Sequence, residues 1–332
     1  MSEHHTASDH IARAVSLLRE GKPVAFPTET VYGLGADASN ELAVRKVFQM
    51  KERPFDHPLI VHISRLKQLG DWAQDVPEDA LKLAKAFWPG PLTMVFKKQP
   101  GVLDCVTGGQ PTVALRMPSH PMAQSLLESF GGGLVAPSAN KFTHISPTTA
   151  AAVHEEFGDT VMVLDGGASK VGLESTIIDM SQGQPVILRP GMITAQEIGA
   201  LLGKVVITVT EEKAKTRAPG MHSLHYAPQT KTSLIDKKNI PAFLQAIKKN
   251  DLPIVFAMYT DLDLLQVDQV DVDYVKLPAD AAGYAHDLYR MLRALDGQHY
   301  KHIMVEGVPD GVEWEAIRDR LFKATGSARG KA

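Results

Sequence analysis

Cysteine is almost missing from this chain: Cys105 stands alone among 332 residues. No intramolecular disulfide can form, and a zinc cluster built from cysteines is excluded. A reducing, cytoplasmic setting suits such a sequence best. Aromatic residues reach only 6% and the formal net charge is -3. A module that binds nucleic acid by charge and stacking is basic and carries an aromatic signature. No apolar run approaches the ~18 uninterrupted residues of a membrane span. The segment Met1 to His10 is polar throughout, so no signal peptide is expected.

Several signature motifs are missing as well. No Gly-x-x-x-x-Gly-Lys-Ser/Thr occurs, which rules out a P-loop enzyme. Gly33 and Gly35 approach Gly-x-Gly-x-x-Gly, but Ala38 stands where the third glycine belongs, so a dinucleotide site is discounted rather than excluded. Ser138 lacks the Gly-x-Ser-x-Gly elbow of a hydrolase nucleophile. There is no His-Glu-x-x-His helix. His4 and His5 make an incomplete ligand set in a polar tail, and His222 and His225 have no third ligand nearby in sequence, so metal binding is the lesser reading for both pairs.

What remains is an ordinary globular composition, 44% hydrophobic and 22% charged. The length suggests two domains, because single cores stop growing near ~250–300 residues. The spacing predicts a first domain over 1–208 with more strands than helices, and so a mixed, twisted α/β sheet. Asn40 is placed to cap a helix with Val44, Val47 and Phe48 on one face. From 209 to 229 the chain turns charged and then Pro/Gly-broken, without period, as a linker does. Strands and helices then alternate over 230–332, the pattern of a small parallel α/β unit.

Three segments point to chemistry. Lys51 and Arg53 follow the helix after Asn40 and precede the strand Pro58–Ile63, where α/β sites gather. They are either a solvated helix-end pair or ligands for phosphate oxygens. In the strand Thr112–Arg116, Thr112, Ala114 and Arg116 share one face and Val113 and Leu115 the other. An arginine on that small-residue face needs an anion if buried, either a carboxylate of the fold or one of a substrate. Pro137-Ser138-Ala139-Asn140 closes a strand, where Ser and Asn serve as turn formers or as donors to anionic oxygens.

Taken in order, Pro27-Thr28-Glu29-Thr30-Val31-Tyr32-Gly33-Leu34, Lys51-x-Arg53 with Pro58-Leu59-Ile60-Val61-His62, Pro137-Ser138-Ala139-Asn140, Glu174-Ser175-Thr176-Ile177-Ile178-Asp179, Leu188-Arg189-Pro190-Gly191 and Ala218-Pro219-Gly220-Met221 with His225-Tyr226-Ala227-Pro228 resemble the YrdC-like family over nearly the whole chain. The two-domain layout is similar to the family's long form, the threonylcarbamoyl-AMP synthases. That resemblance implies a YrdC-like catalytic domain, a linker lying over the active site, and a smaller Rossmann-like C-terminal domain. It implies a nucleotidyltransferase that makes threonylcarbamoyl-adenylate and pyrophosphate from L-threonine, bicarbonate or CO2, and ATP, with Mg2+ accompanying the ATP. The expected partners are proteins that transfer the threonylcarbamoyl group to tRNA, with at most a weak tRNA contact and no membrane.

By position, the resemblance gives Lys51, Arg53, Ser138 and Asn140 the catalytic signature. It gives threonine contacts to Thr30, His62, Arg116, the Ala136 backbone and Ser175. It gives ATP contacts to Arg53, His57, Thr112, Ser138, Ser146, Arg189 and Tyr226. Leu224 stands where many relatives carry an arginine before the His-Tyr pair, so the likeness does not extend to that linker cation. Three rivals are an RNA-binding module, a hydrogenase-maturation carbamoyltransferase (which would need cysteine-rich zinc-finger segments) and a non-enzymatic nucleotide sensor.

Overall fold

The computed structural model describes residues 7–220, 226–248, 251–261 and 272–326. The chain divides into two compact units. Residues up to 142 and from 146 to 221 form the first; 143–145 and the chain from 222 onward form the second.

The first unit is built on a mixed sheet of eleven short strands. In chain order these are β1 Val24–Phe26, β2 Gly33–Asp37, β3 Ile60–His62, β4 Ala73–Gln74, β5 Leu92–Lys98, β6 Thr112–Arg116, β7 Leu134–Val135, β8 Met162–Val163, β9 Thr176–Asp179, β10 Val186–Arg189 and β11 Ile207–Thr208. Their spatial order is β11-β10-β9-β5-β6-β3-β7-β2-β1-β8, with β4 on β5. Parallel pairs (β3 with β6, β5 with β9) alternate with antiparallel ones (β5 with β6, β3 with β7), so this is the mixed sheet that the sequence pattern predicts.

The faces of β6 divide as its alternation requires. Val113 and Leu115 join the large core that includes Val44, Val47 and Phe48 of the helix Glu41–Lys51. Ala114 faces the other way, into a smaller cluster with Ile60, Val95, Ile177 and Leu188. The segment predicted as a linker packs on that second face: Ala218 is buried in the cluster, and Val209 and Ala214 pack against it. Thr216 Oγ1 donates to Asp179 Oδ2 at 2.7 Å, which ties the segment to the end of β9.

Local signals set the ends of the elements that carry the site. Asn40 Oδ1 accepts from the Ala43 N–H at 3.2 Å and starts the helix Glu41–Lys51. Glu52 stops it in the left-handed conformation, φ 54°. Gly191, in Arg189-Pro190-Gly191, lies so close to β9 that an added Cβ would stand 2.3 Å from the Thr176 nitrogen, so only glycine fits there.

The second unit holds four parallel strands, β12 Thr232–Ile235, β13 Ile254–Met258, β14 Asp273–Lys276 and β15 His302–Glu306, in the order β12-β15-β13-β14. The helices Ile240–Ala246, Ala281–Leu295 and Glu315–Thr325 accompany them. This is the parallel α/β arrangement read from the alternating pattern.

Candidate active site

Lys51 is carried by the last turn of its helix, where a cation is favoured and solvent is the usual partner. Here the side chain is buried, with 1% of its surface exposed, and Arg53 keeps 7%. The solvated-pair reading therefore fails. Lys51 Nζ donates to the Ser138 carbonyl at 2.6 Å and to the Asn140 carbonyl. The Lys-x-Arg and Ser-x-Asn segments thus meet through one ammonium. Burial pushes the Lys51 pKa well below the ordinary lysine range, and the neighbouring Arg53 charge pushes the same way.

Arg53 donates from Nη2 to the Pro58 carbonyl at 3.1 Å, and its guanidinium stands 5.8 Å from the centre of the Phe142 ring. His57 meets the same ring edge-on at 5.3 Å. Phe142 is itself fixed by its N–H, which donates to the Lys51 carbonyl at 2.7 Å. Lys51, Arg53, His57, Ser138 and Asn140 are therefore one neighbourhood.

A second neighbourhood crosses the sheet. His62 on β3 and Thr93 on β5 are both register partners of Arg116 on β6, so the three side chains form a row on one face. Thr93 Oγ1 is 2.7 Å from Ser175 Oγ. Arg189 donates from Nη2 to the Ser175 hydroxyl at 3.1 Å and to its carbonyl at 3.0 Å. Ser146 Oγ donates to Glu174 Oε1 at 2.6 Å. Thr112 shares the Arg116 face and is buried, and the Ala136 N–H donates to the Ile60 carbonyl at 3.2 Å.

Arg116 is buried and held at three points. Nη2 donates to Glu29 Oε1 at 2.7 Å, Nη1 to Thr30 Oγ1 at 2.8 Å, and Nε to the Gly90 carbonyl at 3.3 Å. A guanidinium has five N–H bonds. By count, that leaves one N–H on each terminal nitrogen for a further acceptor. The anion that a buried Arg116 requires is thus Glu29, and among the described residues one N–H on each terminal nitrogen is left over.

His62 keeps 2% of its surface, and its Nδ1 has no hydrogen-bond partner among the described residues. Burial, and then the Arg116 charge, lowers its pKa from 6.5 to about 3, so the ring is neutral at physiological pH. The turn after β1 joins the two neighbourhoods. Thr30 accepts from Arg116, while the Tyr32 carbonyl accepts the Ala139 N–H at 2.8 Å and Gly33 bridges to Ser138.

Tyr226 belongs to the second unit. It is 1% exposed, its ring stacked on Tyr289 at 5.5 Å with the Arg320 guanidinium 5.3 Å from its centre. The expectations that concern His4, His5, Met221, His222, Leu224 and His225 fall outside the described residues. Sequence reasoning did not single out Glu29, Thr93 or Glu174. The legible signal was for Glu29: an acid in the polar turn Thr28-Glu29-Thr30, at a distance in sequence from an arginine that needed an anion.

The family model for Sua5, YciO and YrdC proteins, described as telomere recombination, matches residues 16–191. A model described as the threonylcarbamoyl-AMP synthase C-terminal domain matches residues 193–326. The threonylcarbamoyl-AMP synthase of Pyrococcus abyssi is 39% identical over 94% of this chain and 93% of its own. That of Bacillus subtilis is also 39% identical, over 98% of this chain and 95% of its own. The crystal structure of P. abyssi Sua5 complexed with L-threonine superposes with a TM-score of 0.88 at 38% identity, covering 98% of this chain and 96% of that one.

Proposed function

We propose, from the premise that this chain belongs to the two-domain threonylcarbamoyl-AMP synthases of the Sua5, YciO and YrdC family, that the two neighbourhoods of the first unit are its threonine and nucleotide subsites. The activity is the formation of threonylcarbamoyl-AMP, an adenylate made from ATP, for tRNA modification. The single observation that carries the subsite reading is Arg116, immobilised by Glu29 and Thr30 with one N–H left on each terminal nitrogen.

In this reading Arg116 grips the threonine carboxylate, with Thr30, His62, the Ala136 backbone and Ser175 around the rest of the amino acid. A site that hydrogen-bonds the substrate hydroxyl rejects valine, because the site's own polar groups would be left unpaired. The threonine ammonium first loses a proton, the free amine attacks the carbon of CO2 to form the C–N bond as one C=O π pair moves onto oxygen, and loss of a second proton from nitrogen gives the carbamate. A carbamate oxygen then attacks the α-phosphorus, and the bond to the β-phosphate breaks to release pyrophosphate. No enzyme nucleophile is needed. Negative charge develops on phosphate oxygens, where fixed cations and donors give the largest benefit.

Arg53, His57, Thr112, Ser138, Ser146, Arg189 and Tyr226 are our assignments for ATP. Lys51, Arg53, Ser138 and Asn140 form the catalytic set. Lys51 acts through the loop that it holds: its ammonium binds the Ser138 and Asn140 carbonyls and so fixes the groups those residues present. The segment 209–220 shields a labile intermediate from water. Among the described residues no group of three or more His, Cys, Asp or Glu is placed to hold a metal. In this reading Mg2+ arrives ligated by the phosphates of ATP.

No helix among the described residues is long and apolar enough to cross a membrane. A product destined for tRNA points to the cytoplasm and to transfer proteins that accept it there. We keep the linker as 209–229, between a catalytic domain over 1–208 and a C-terminal domain over 230–332. The deciding assay is pyrophosphate release from ATP. It should require both threonine and bicarbonate, and release that persists without threonine would overturn the reading.

A further inference from the structure

The pairing of Glu29 with Arg116 does more than hold a side chain. Glu29 is buried, with 5% of its surface exposed. One carboxylate oxygen takes the Arg116 Nη2 hydrogen at 2.7 Å, and the other takes the Ser119 N–H at 3.0 Å. The Glu29 carbonyl accepts the Val171 N–H at 2.7 Å, which fixes the backbone beneath it. A buried ion pair is a poor source of stability, because desolvating two charges offsets most of their attraction. Its retention here calls for another role.

Charge balance supplies one. With Glu29 beside it, Arg116 is already neutralised before any substrate arrives. A carboxylate that binds the two remaining N–H groups adds one negative charge to a buried pocket, and His62 is neutral and offers no counter-charge. A zwitterion brings its own ammonium and leaves the balance unchanged. An amine-free carboxylate leaves the Glu29–Arg116 pair with one extra negative charge in a buried site, which is disfavoured; the next cation, Arg189, stands beyond Ser175, whose hydroxyl and carbonyl it binds. Only a substrate with an amine can form a carbamate, so this electrostatic filter matches the chemistry.

We infer that Glu29 is a specificity-determining residue: by balancing Arg116 it makes the pocket accept zwitterionic amino acids and reject carboxylates that lack an amine. The inference rests on Arg116 being the carboxylate clamp. The probes are L-threonine and 3-hydroxybutanoate, which is the same skeleton with hydrogen in place of the ammonium. Their affinities are measured by calorimetry on the full chain without nucleotide.

The native protein should prefer threonine by about 10- to 100-fold, the scale of one hydrogen bond to a charged group. Glu29→Gln keeps the shape and an acceptor but removes the charge. It should shrink that preference about tenfold or more, chiefly by admitting 3-hydroxybutanoate. Glu29→Asp keeps the charge and should keep the preference even if both ligands weaken, and it stands in if Glu29→Gln does not fold.

A folded Glu29→Gln protein with unchanged preference, a Glu29→Asp protein with none, or a native protein that does not discriminate would each overturn the inference. Arg116→Lys separates it from the reading beneath it. If that variant loses threonine while Glu29→Gln leaves the preference intact, only the role of Glu29 falls. If Arg116→Lys binds threonine normally, the clamp itself is wrong.

Discussion

Arg189 joins Ser175 to Pro219: Nε and Nη2 donate to the Ser175 carbonyl at 3.1 and 3.0 Å, while Nη1 donates to the Pro219 carbonyl at 3.1 Å. One guanidinium thus couples Ser175, which we assign to the threonine subsite, to the segment that packs on the sheet face. Lysine carries a point charge and cannot serve both partners in this planar geometry. Arg189→Lys should therefore raise hydrogen exchange in 209–220 and lower threonine-dependent turnover about tenfold, the scale of one charged hydrogen bond. Exchange in 209–220 that matches the native protein would refute the coupling.

The Thr216 tie to Asp179 makes a separate stability prediction. Thr216→Val leaves a buried carboxylate oxygen without its donor, which costs about 1–3 kcal/mol. Urea unfolding reads the loss directly. Deleting 218–226 should weaken ATP binding by calorimetry, whereas unchanged ATP affinity would show that the segment is no lid.

Truncating Lys51 or Arg53, the cations we assign to the nucleotide, should cost turnover rather than folding alone. Arg53→Ala or Lys51→Met should lower kcat by roughly 10²–10³, the scale for losing one key electrostatic donor. For Lys51 the loss should come through disorder of the 138–140 loop, visible as faster hydrogen exchange there. A kcat within twofold of native would reject the assigned roles.

His62 predicts an acid-dependent stability term. Its pKa is lowered from 6.5 to about 3, chiefly by burial, so the unfolded chain takes up a proton in that window and the folded chain does not. Stability from this source is complete above pH 6.5 and falls as pH falls toward about 3. The slope is at most about 1.4 kcal/mol per pH unit. His62→Gln should lose less stability than the native protein between about pH 7 and pH 4.5. Parallel losses in urea titrations would argue against a buried neutral imidazole.

The sequence carried much of the fold because its signals were local. Asn40 as a cap and the alternation of Thr112–Arg116 both depend on neighbours within a few residues, and both appear in the structure. The strand–helix alternation after 230 likewise gave a parallel sheet. The burial of Lys51 was not legible, because its carbonyl partners lie 87 and 89 residues away. The same distance hides Glu29 from Arg116, 87 residues on. The order of 209–220 was hidden for another reason. Its Pro/Gly-broken, charged composition reads as solvated chain, and only the apolar patch of Ile60, Val95, Ala114, Ile177 and Leu188 gives Ala218 somewhere to pack.

The most direct measurement is a crystal structure of the protein with L-threonine and a non-hydrolysable ATP analogue bound together. The account predicts the threonine carboxylate across both terminal nitrogens of Arg116 at about 2.7–3.0 Å, with Glu29 and Thr30 still in place. The triphosphate should lie beside Arg53 and the 138–140 loop. A threonine carboxylate held elsewhere, or Arg53 and Arg116 facing unconnected surfaces, would contradict it.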